Sequence, residues 1–427
     1  MIGSKARGEA RGVEQVRIAS APPAATVFIF VTIVLDVLAM GMVIPVMPQL
    51  IHQVGGGNMA DTAKIFGVFG TAWAVMQLIA SPVQGALSDR FGRRPVILLS
   101  NFGMGLNYLL MAVSPSLALL FVGRLISGVC AGSVPAAMAY LADVNPPEKR
   151  AASFGLLGAG FSLGFAIGPA VGGLLGALGP RAPFWAAAAL SLANAMYGLF
   201  VLPESLSKER RAPLEIRHLN PIGALASLLR TYPALGAMLG VSFLFSLAQQ
   251  GPNNVFVLYA ASRYRWGPPD VGLMMTAFGV GGMIVQAGIV PLAAKFLGER
   301  RALLLGLGLQ VVGLVLFANA ATGAQFWMAV PVACLGQLGG PAWSAFVSRQ
   351  VGPDEQGRLA GATSSLNSLT GIIGPTLFTM SFAAALKPGS WLPLGVPFYM
   401  AAGLMVVALA AVTVVMRRSG GVSPASA

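Results

Sequence analysis

Charge is what this 427-residue chain has least of. Asp, Glu, Lys and Arg make up 10% of it, against roughly 25% in ordinary soluble domains. That shortage excludes a water-facing surface over most of the chain. Two cysteines and two histidines exclude a disulfide framework and any Cys/His metal cluster, and Cys130 and Cys334 both sit in apolar runs, where core packing is expected. No interval is polar enough or long enough for a soluble appendage, the longest being "PESLSKERRAPLEIRHLNP" at 203–221. What is present is apolar: 56% hydrophobic residues and 54 Gly, with a mean hydropathy of +0.76. Glycine is commoner in membrane helices than in soluble ones. The net charge of +13 falls in short connectors rather than on one face, so nucleic-acid binding is not expected.

A helix needs around 20 apolar residues to cross the hydrocarbon core. Twelve runs meet that need, at 24–50, 65–87, 95–113, 117–141, 152–178, 183–202, 233–260, 271–294, 302–320, 325–348, 359–385 and 393–416. The first is too long for a signal-peptide core and is expected to remain as a helix. With an inside N-terminus, 21 of the 27 Lys and Arg fall on the inner side and five on the outer, leaving Arg124 alone within a span. The positive-inside rule then puts both termini in the cytoplasm. The expected organisation is a tail (1–23), a six-helix bundle (24–202), a linker (203–232), a second six-helix bundle (233–416) and a tail (417–427).

The halves repeat. A shift of 206 positions lays "GALSDRFGRRP" (85–95) on "PLAAKFLGERR" (291–301), so that Gly92 meets Gly298 and Arg94 meets Arg300. The same shift lays residues 148–169 on 354–375, where Ser162 meets Ser368 and "IGP" meets "IGP". Two distant sites sharing one offset argue for duplication. Parallel six-helix repeats with a substrate site between them describe the major facilitator fold: an all-α membrane protein with 12 transmembrane helices in two pseudo-symmetric bundles.

"GALSDRFGRRP" places Gly85, Asp89, Arg90, Gly92, Arg93 and Arg94 in the loop between the second and third spans. The glycines permit a tight turn, the arginines suit acids or lipid headgroups, and Asp89 suits a positive helix N-terminus. The stretch resembles the signature loop of the major facilitator superfamily, G-x-L-x-D-R-x-G-R-R, a conformational gate. "GRLISGVCAG" (123–132) resembles that family's fourth-helix motif with an intramembrane arginine, and "GFAIGPAVGG" (164–173) its fifth-helix antiporter motif, here Gly164, Gly168, Pro169, Gly172 and Gly173. "DVLAMGMVIPVMP" resembles the first-helix motif through Asp36, Gly41, Pro45 and Pro48. "APFWAAAAL", "LPESLSKERR" and "LGERRALLLG" are similar to the tetracycline-efflux branch of the 12-helix drug:proton antiporters. Three positions depart from that branch: its third-helix acid is Asn107 here, its eighth-helix histidine Gly282 and its ninth-helix acid Gln310. Those groups are associated with metal–drug recognition and protons, so the departures bear on the substrate rather than on export.

Of 14 acids, Asp36 is the only one deep in a span. An acid there costs roughly 2.5–3.5 kcal/mol on insertion scales and points to function, with a partner to be named. Arg124 is the candidate base. Asp36 is on the order of 15 Å from the inner end of its helix, and Arg124 roughly 10 Å from the outer end of its own, at 1.5 Å per residue. Two readings are open: a static ion pair that fixes packing, or an acid that takes up and releases protons under the influence of Arg124. Polar residues Gln77, Asn107, Gln249, Gln250, Asn253, Asn254, Gln286, Gln310 and Gln337 are candidates to line a neutral substrate cavity, four of them around an expected Gly-Pro break in the seventh span. Each is equally suited to interhelical hydrogen bonding. Met40 and Met47 are expected chiefly in the core.

The resemblance implies a proton-coupled antiporter exporting a small amphipathic or hydrophobic compound, an antibiotic, by alternating access. The alternative is a facilitator or proton-coupled transporter of an endogenous metabolite. The expected setting is the cell inner membrane, as a monomer. No enzymatic activity, metal or cofactor is expected beyond the coupling proton, and the expected partners are substrate, protons and lipid.

Overall fold

The computed structural model describes residues 23–131, 133–212, 235–352 and 355–419. The expected N-terminal tail up to residue 22, most of the linker and the last residues of the C-terminal tail lie outside the described residues. Among the described residues every regular element is a helix. The first span is Pro23–Val43, continued after a turn by Met47–Gly55. Met59–Phe91, Arg93–Val113, Leu117–Cys130 with Ser133–Val144, Pro147–Gly176 and Ala182–Val201 form the second to sixth. Leu235–Tyr264 is the seventh, and Pro268–Ile284 begins the eighth. A π-helical turn, Val285–Ile289, carries the eighth span into Val290–Asn319, which bends at Gly298 and continues as the ninth. Gly323–Gly336 with Gly339–Ser348, Gln356–Ala385 and Val396–Ser419 complete the twelve.

Nine described segments are long and apolar enough to cross a membrane, one of them the 52-residue Pro268–Asn319 that folds back at Gly298. Leu235–Tyr264 and Gly323–Ser348 fall outside that set because the former carries its glutamines and asparagines mid-helix and the latter is broken at Gln337–Leu338. Helix starts are capped where the sequence allows: the side chains of Asn58, Ser116 and Thr322 accept from backbone N–H groups three residues on.

Two local expectations change. The first span is not one helix to residue 50: the chain turns at residues 44–46. Pro45 has no N–H to give, and Pro48 sits in the opening turn of the next helix, where none is needed. The seventh span, conversely, is not broken at Gly251-Pro252 but runs on as helix through Pro252. Asn254 Nδ2 donates to the Gln250 carbonyl and to its Oε1, both at 2.9 Å, bracing the turn around the proline. Side chains of this kind make proline tolerable in membrane helices.

Three large clusters hold most of the core. One runs through the second half from Met238 to Val415. The first half has two, one around Met42, Leu50, Tyr108 and Phe184 and another around Phe28, Ile33, Ile97 and Tyr140. Burying apolar surface is not the drive between helices in lipid; close packing of small residues is. The fifth span shows this directly. A Cβ on Gly164 would lie 2.8 Å from the Val34 carbonyl oxygen, and one on Gly172 2.1 Å from that of Met42, so this face lies against the first span. Gly173 turns to the eighth span, where Gly272 comes so near that a Cβ on it would lie 2.2 Å from the Pro169 carbonyl oxygen.

That crossing joins the two halves. A second one pairs the second and eleventh spans, with Gly67 and Gly70 against Thr379 and Pro375, and Thr71 Oγ1 at 2.8 Å from both the Ile372 carbonyl and Thr376 Oγ1. At the opposite end of the bundle are the glycines of the fifth and eleventh spans, Gly155, Gly158, Gly357 and Gly361. A Cβ added to any of them would meet nothing within 4 Å. The halves therefore meet from one end to mid-depth and part at the end that carries Asp89. Gly272→Ala is expected to destabilise this packing by about 1–3 kcal/mol, as overpacking does, while Gly308→Ala, with open space around it, is neutral. Thermal unfolding midpoints of the two variants in detergent check this.

Candidate functional site

A cavity of about 460 Å³ sits between the halves at mid-depth. All but five of its lining residues come from the first six spans; Asn253, Asn254, Met275, Gly371 and Pro375 supply the other wall. Asp36 and Arg124 both line it. Asp36 is presented to it by the first span, which packs on the fifth through the glycine contacts above. Arg124 is held with its guanidinium carbon 5.8 Å from the centroid of the Trp73 ring, a cation–π contact. The rest of the lining is largely apolar and polarizable: Met40, Met47, Met104 and Met111 with Phe66 and Phe161. Met40 and Met47 thus face the cavity rather than the core alone, and Cys130 lines it too. Cys334 is buried as expected, and neither cysteine is bonded to the other.

The structure brings together only some of the predicted polar lining. Gln77, Asn253 and Asn254 reach the cavity. Asn107 lies behind the wall, 2% exposed, donating to Ser127 Oγ at 2.7 Å and so tying the third span to the fourth. Gln250 packs on Gly374 and receives Asn254. Gln310 is buried where the ninth and tenth spans cross at Gly336, and Gln337 fills the space beside Gly282. Gln286 is exposed on the π-helical turn, and Gln249 is not among the lining residues. Glutamine on an apolar helix signals a polar need without saying which neighbour meets it.

Three residues that matter here carry no sequence signal of their own. Tyr108, 4% exposed, and Ser127 line the same wall as Arg124. Asn194 of the sixth span donates from Nδ2 to Asp36 Oδ1 at 3.0 Å. An asparagine inside "SLANAMYG" is indistinguishable in sequence from one that bonds its own helix.

The gate loop is built around Arg93, which donates to Asp89 at 2.5 Å, to Ser88 at 3.2 Å and to Asp143 at 3.1 Å. Arg94 donates to the Leu199 carbonyl at 2.6 Å, and Arg90 lies over its neighbour Phe91. Glu204, from the start of the linker, accepts the backbone N–H groups of Arg93, Ser205 and Leu206. It thereby caps the third span, whose preceding residue Gly92 has φ 109° and no side chain to do so. Asp89 itself faces Arg93 rather than the start of the eleventh span, because the halves are apart at this end. Gly85 has open space around it.

A family model of the Major Facilitator Superfamily matches residues 29–375 and, again, 238–426. The chain is 38% identical over 390 residues to the class C tetracycline resistance protein of Escherichia coli, covering 91% of this chain and 96% of that one. It is 36% identical to the class E protein of Escherichia coli, over 89% and 92% of the two chains. It is 30% identical to multidrug resistance protein 2 of Bacillus subtilis, over 90% and 94%. Among solved structures, the nucleoside transporter NupG superposes with a TM-score of 0.74 at 15% identity, over 92% of this chain and 99% of that one. The human organic anion transporter MFSD10 gives 0.67 at 24%, over 91% and 99%. These likenesses to solved structures speak for the fold, which is the major facilitator fold of a multi-pass membrane transporter and not that of an enzyme. With close glycine crossings on the antiporter motif, an acid and a base in one central cavity, and this kinship along nearly its whole length, the chain belongs to the major facilitator superfamily, among the relatives of the tetracycline resistance proteins.

Proposed function

We propose that the chain is a proton-coupled antiporter that exports a small amphipathic, antibiotic-like compound across the inner membrane. The observation that carries the reading is that Asp36 and Arg124 line one cavity between the halves, in a chain whose curated relatives are named for resistance to tetracyclines and to multiple drugs. A transporter that only diffuses a neutral solute has no need of a carboxylate at this depth. The cation held over Trp73 favours loss of the proton to the inner side as substrate enters, and the acid takes up a proton from the outer side once substrate has left. With both termini and the basic connectors in the cytoplasm, the end where the halves part is the inner one, and the described conformation is inward-open. A single chain encloses the whole cavity, which supports action as a monomer.

The substrate contacts are aromatic and thioether surfaces with Gln77, Asn253 and Asn254 as neutral hydrogen-bonding partners. Among the described residues Asp36 is the one carboxylate lining the cavity, whereas a hydrated divalent ion bound with its drug favours several hard oxygen ligands. Asn107, Gly282 and Gln310, which stand where tetracycline-efflux relatives have ionisable groups, lie outside this cavity. Transport is therefore expected to be indifferent to Mg²⁺, which uptake of a compound panel into inverted vesicles, washed with chelator and then resupplied, checks; a strict requirement for the metal contradicts it.

Asp36→Asn is expected to abolish gradient-driven export while leaving substrate exchange intact, since the cavity remains but no proton can leave it. With Asp36 as the only carrier, one proton enters per substrate exported, and export of a neutral compound gains about 2.3 kcal/mol per 100 mV of membrane potential. Simultaneous proton and substrate fluxes in proteoliposomes at fixed potential measure both. A stoichiometry of two, or full coupling in Asp36→Asn, overturns the assignment.

A further inference from the structure

Asn194 is 1% exposed near the middle of the sixth span, one turn after the cavity-lining Ser191. Its amide nitrogen donates twice to the first span, to Asp36 Oδ1 at 3.0 Å and to the Thr32 carbonyl at 3.3 Å. A backbone carbonyl accepts and never donates. Thr32 therefore decides which way round the amide lies, nitrogen toward the first span and oxygen away from it. The amide oxygen accepts no hydrogen bond from a described residue, so this orientation is not imposed by a partner on its other side.

The helix that carries Asn194 is anchored to the third span at both ends. Arg181 donates to the Ala112 and Ser114 carbonyls at 2.9 and 2.8 Å, and Arg94 donates to the Leu199 carbonyl at 2.6 Å. The donor is thus presented by a braced element, while the acid it meets sits on a span packed through glycines.

We propose that Asn194 is the positioning residue for Asp36: it holds the carboxyl in one rotamer toward the cavity and eases loss of its proton. The inference rests on the reading of Asp36 as the proton carrier. An N–H group donates more strongly to a carboxylate than to a neutral acid, and a hydrogen bond to the charged form favours that form. The other titratable or charged groups on the cavity wall are Tyr108, Arg124 and Cys130, from the third and fourth spans. Among the described residues, the second, fifth, sixth, seventh, eighth and eleventh spans contribute none to it. Asn194 does not touch the space a substrate occupies, so it acts through Asp36.

The test is an infrared pH titration of the full-length protein in lipid, following the carboxylic-acid C=O band that disappears in Asp36→Asn. Asn194→Leu removes the donor at similar volume. Its Asp36 band is expected to persist to higher pH, with the midpoint moved up by about one unit, a tenfold tighter hold on the proton. Asn194→Ser, smaller and easier to accommodate, is expected to move it in the same direction and supplies the answer should Asn194→Leu not insert. In Asp36→Asn, adding Asn194→Leu changes no band in this region. A midpoint that stays in place in the variants overturns the proposal, as does an equal shift in a band that survives Asp36→Asn. Because the titration needs no substrate, it separates this inference from the transport reading, which falls instead if Asp36→Asn retains gradient-driven export.

Discussion

One carboxylate at mid-depth in an apolar bundle governs how the first half is built. Keeping an acid there costs several kcal/mol unless polar groups come to it, and the structure gathers them: the Asn194 amide, with Tyr108, Arg124 and Ser127 on the facing wall. The first half has its core in two clusters that share the first span, Phe28, Ile29, Ile33 and Val37 belonging to one and Ala39, Met42 and Val43 to the other. The second half has one large cluster and a small separate one around Val257, Ala260 and Val271. Arg124 is accommodated by Trp73, whose ring face meets the cation without adding a second charge.

The glycines answer a different constraint. Helices in lipid gain little from burying apolar surface against one another, so they associate where backbones approach closely. Here the first and fifth spans touch at backbone distance through Gly41, Gly164, Gly168 and Gly172, and the fifth and eighth through Gly173 and Gly272. The same helix therefore contacts both the acid-bearing span and the opposite half.

Much of this was legible in the sequence, because membrane constraints act on composition and spacing. The twelve spans, Asp36 as the lone deep acid, the small-residue motif of the fifth span and the tight turn at Gly92 each follow from one-dimensional patterns. Gly92 and Gly298, aligned by the 206-residue shift, both adopt positive φ, 109° and 73°. Partner identity was not legible. Asn107 and Asn194 look alike in sequence, yet the former bonds the fourth span from behind the cavity wall and the latter meets Asp36. The proline-containing stretches misled in both directions: Pro45 ends a helix where the apolar run is continuous, and Pro252 leaves one intact because Asn254 braces its turn. Glu204 was hidden because its role depends on the linker folding back over the third span's start.

The repeat also shows which interactions the fold needs in kind and which only in place. In the first half Arg93, at the start of the third span, pairs with Asp143 at the end of the fourth. Moved by 206 positions these become Glu299 and Arg349, and they pair as well, with the signs exchanged. Asp89 likewise becomes Lys295. What both halves retain is a tether between the loop that precedes one helix and the end of the next, a geometric role that either polarity serves. The exchange is one of position only: residues 85–95 carry Asp89 with Arg90, Arg93 and Arg94, and residues 291–301 carry Glu299 with Lys295, Arg300 and Arg301, so the two equivalent loops keep the same net charge. Divergence of the halves has left a cavity whose chemistry lies almost wholly in the first, and two tethers that differ in sign but not in place.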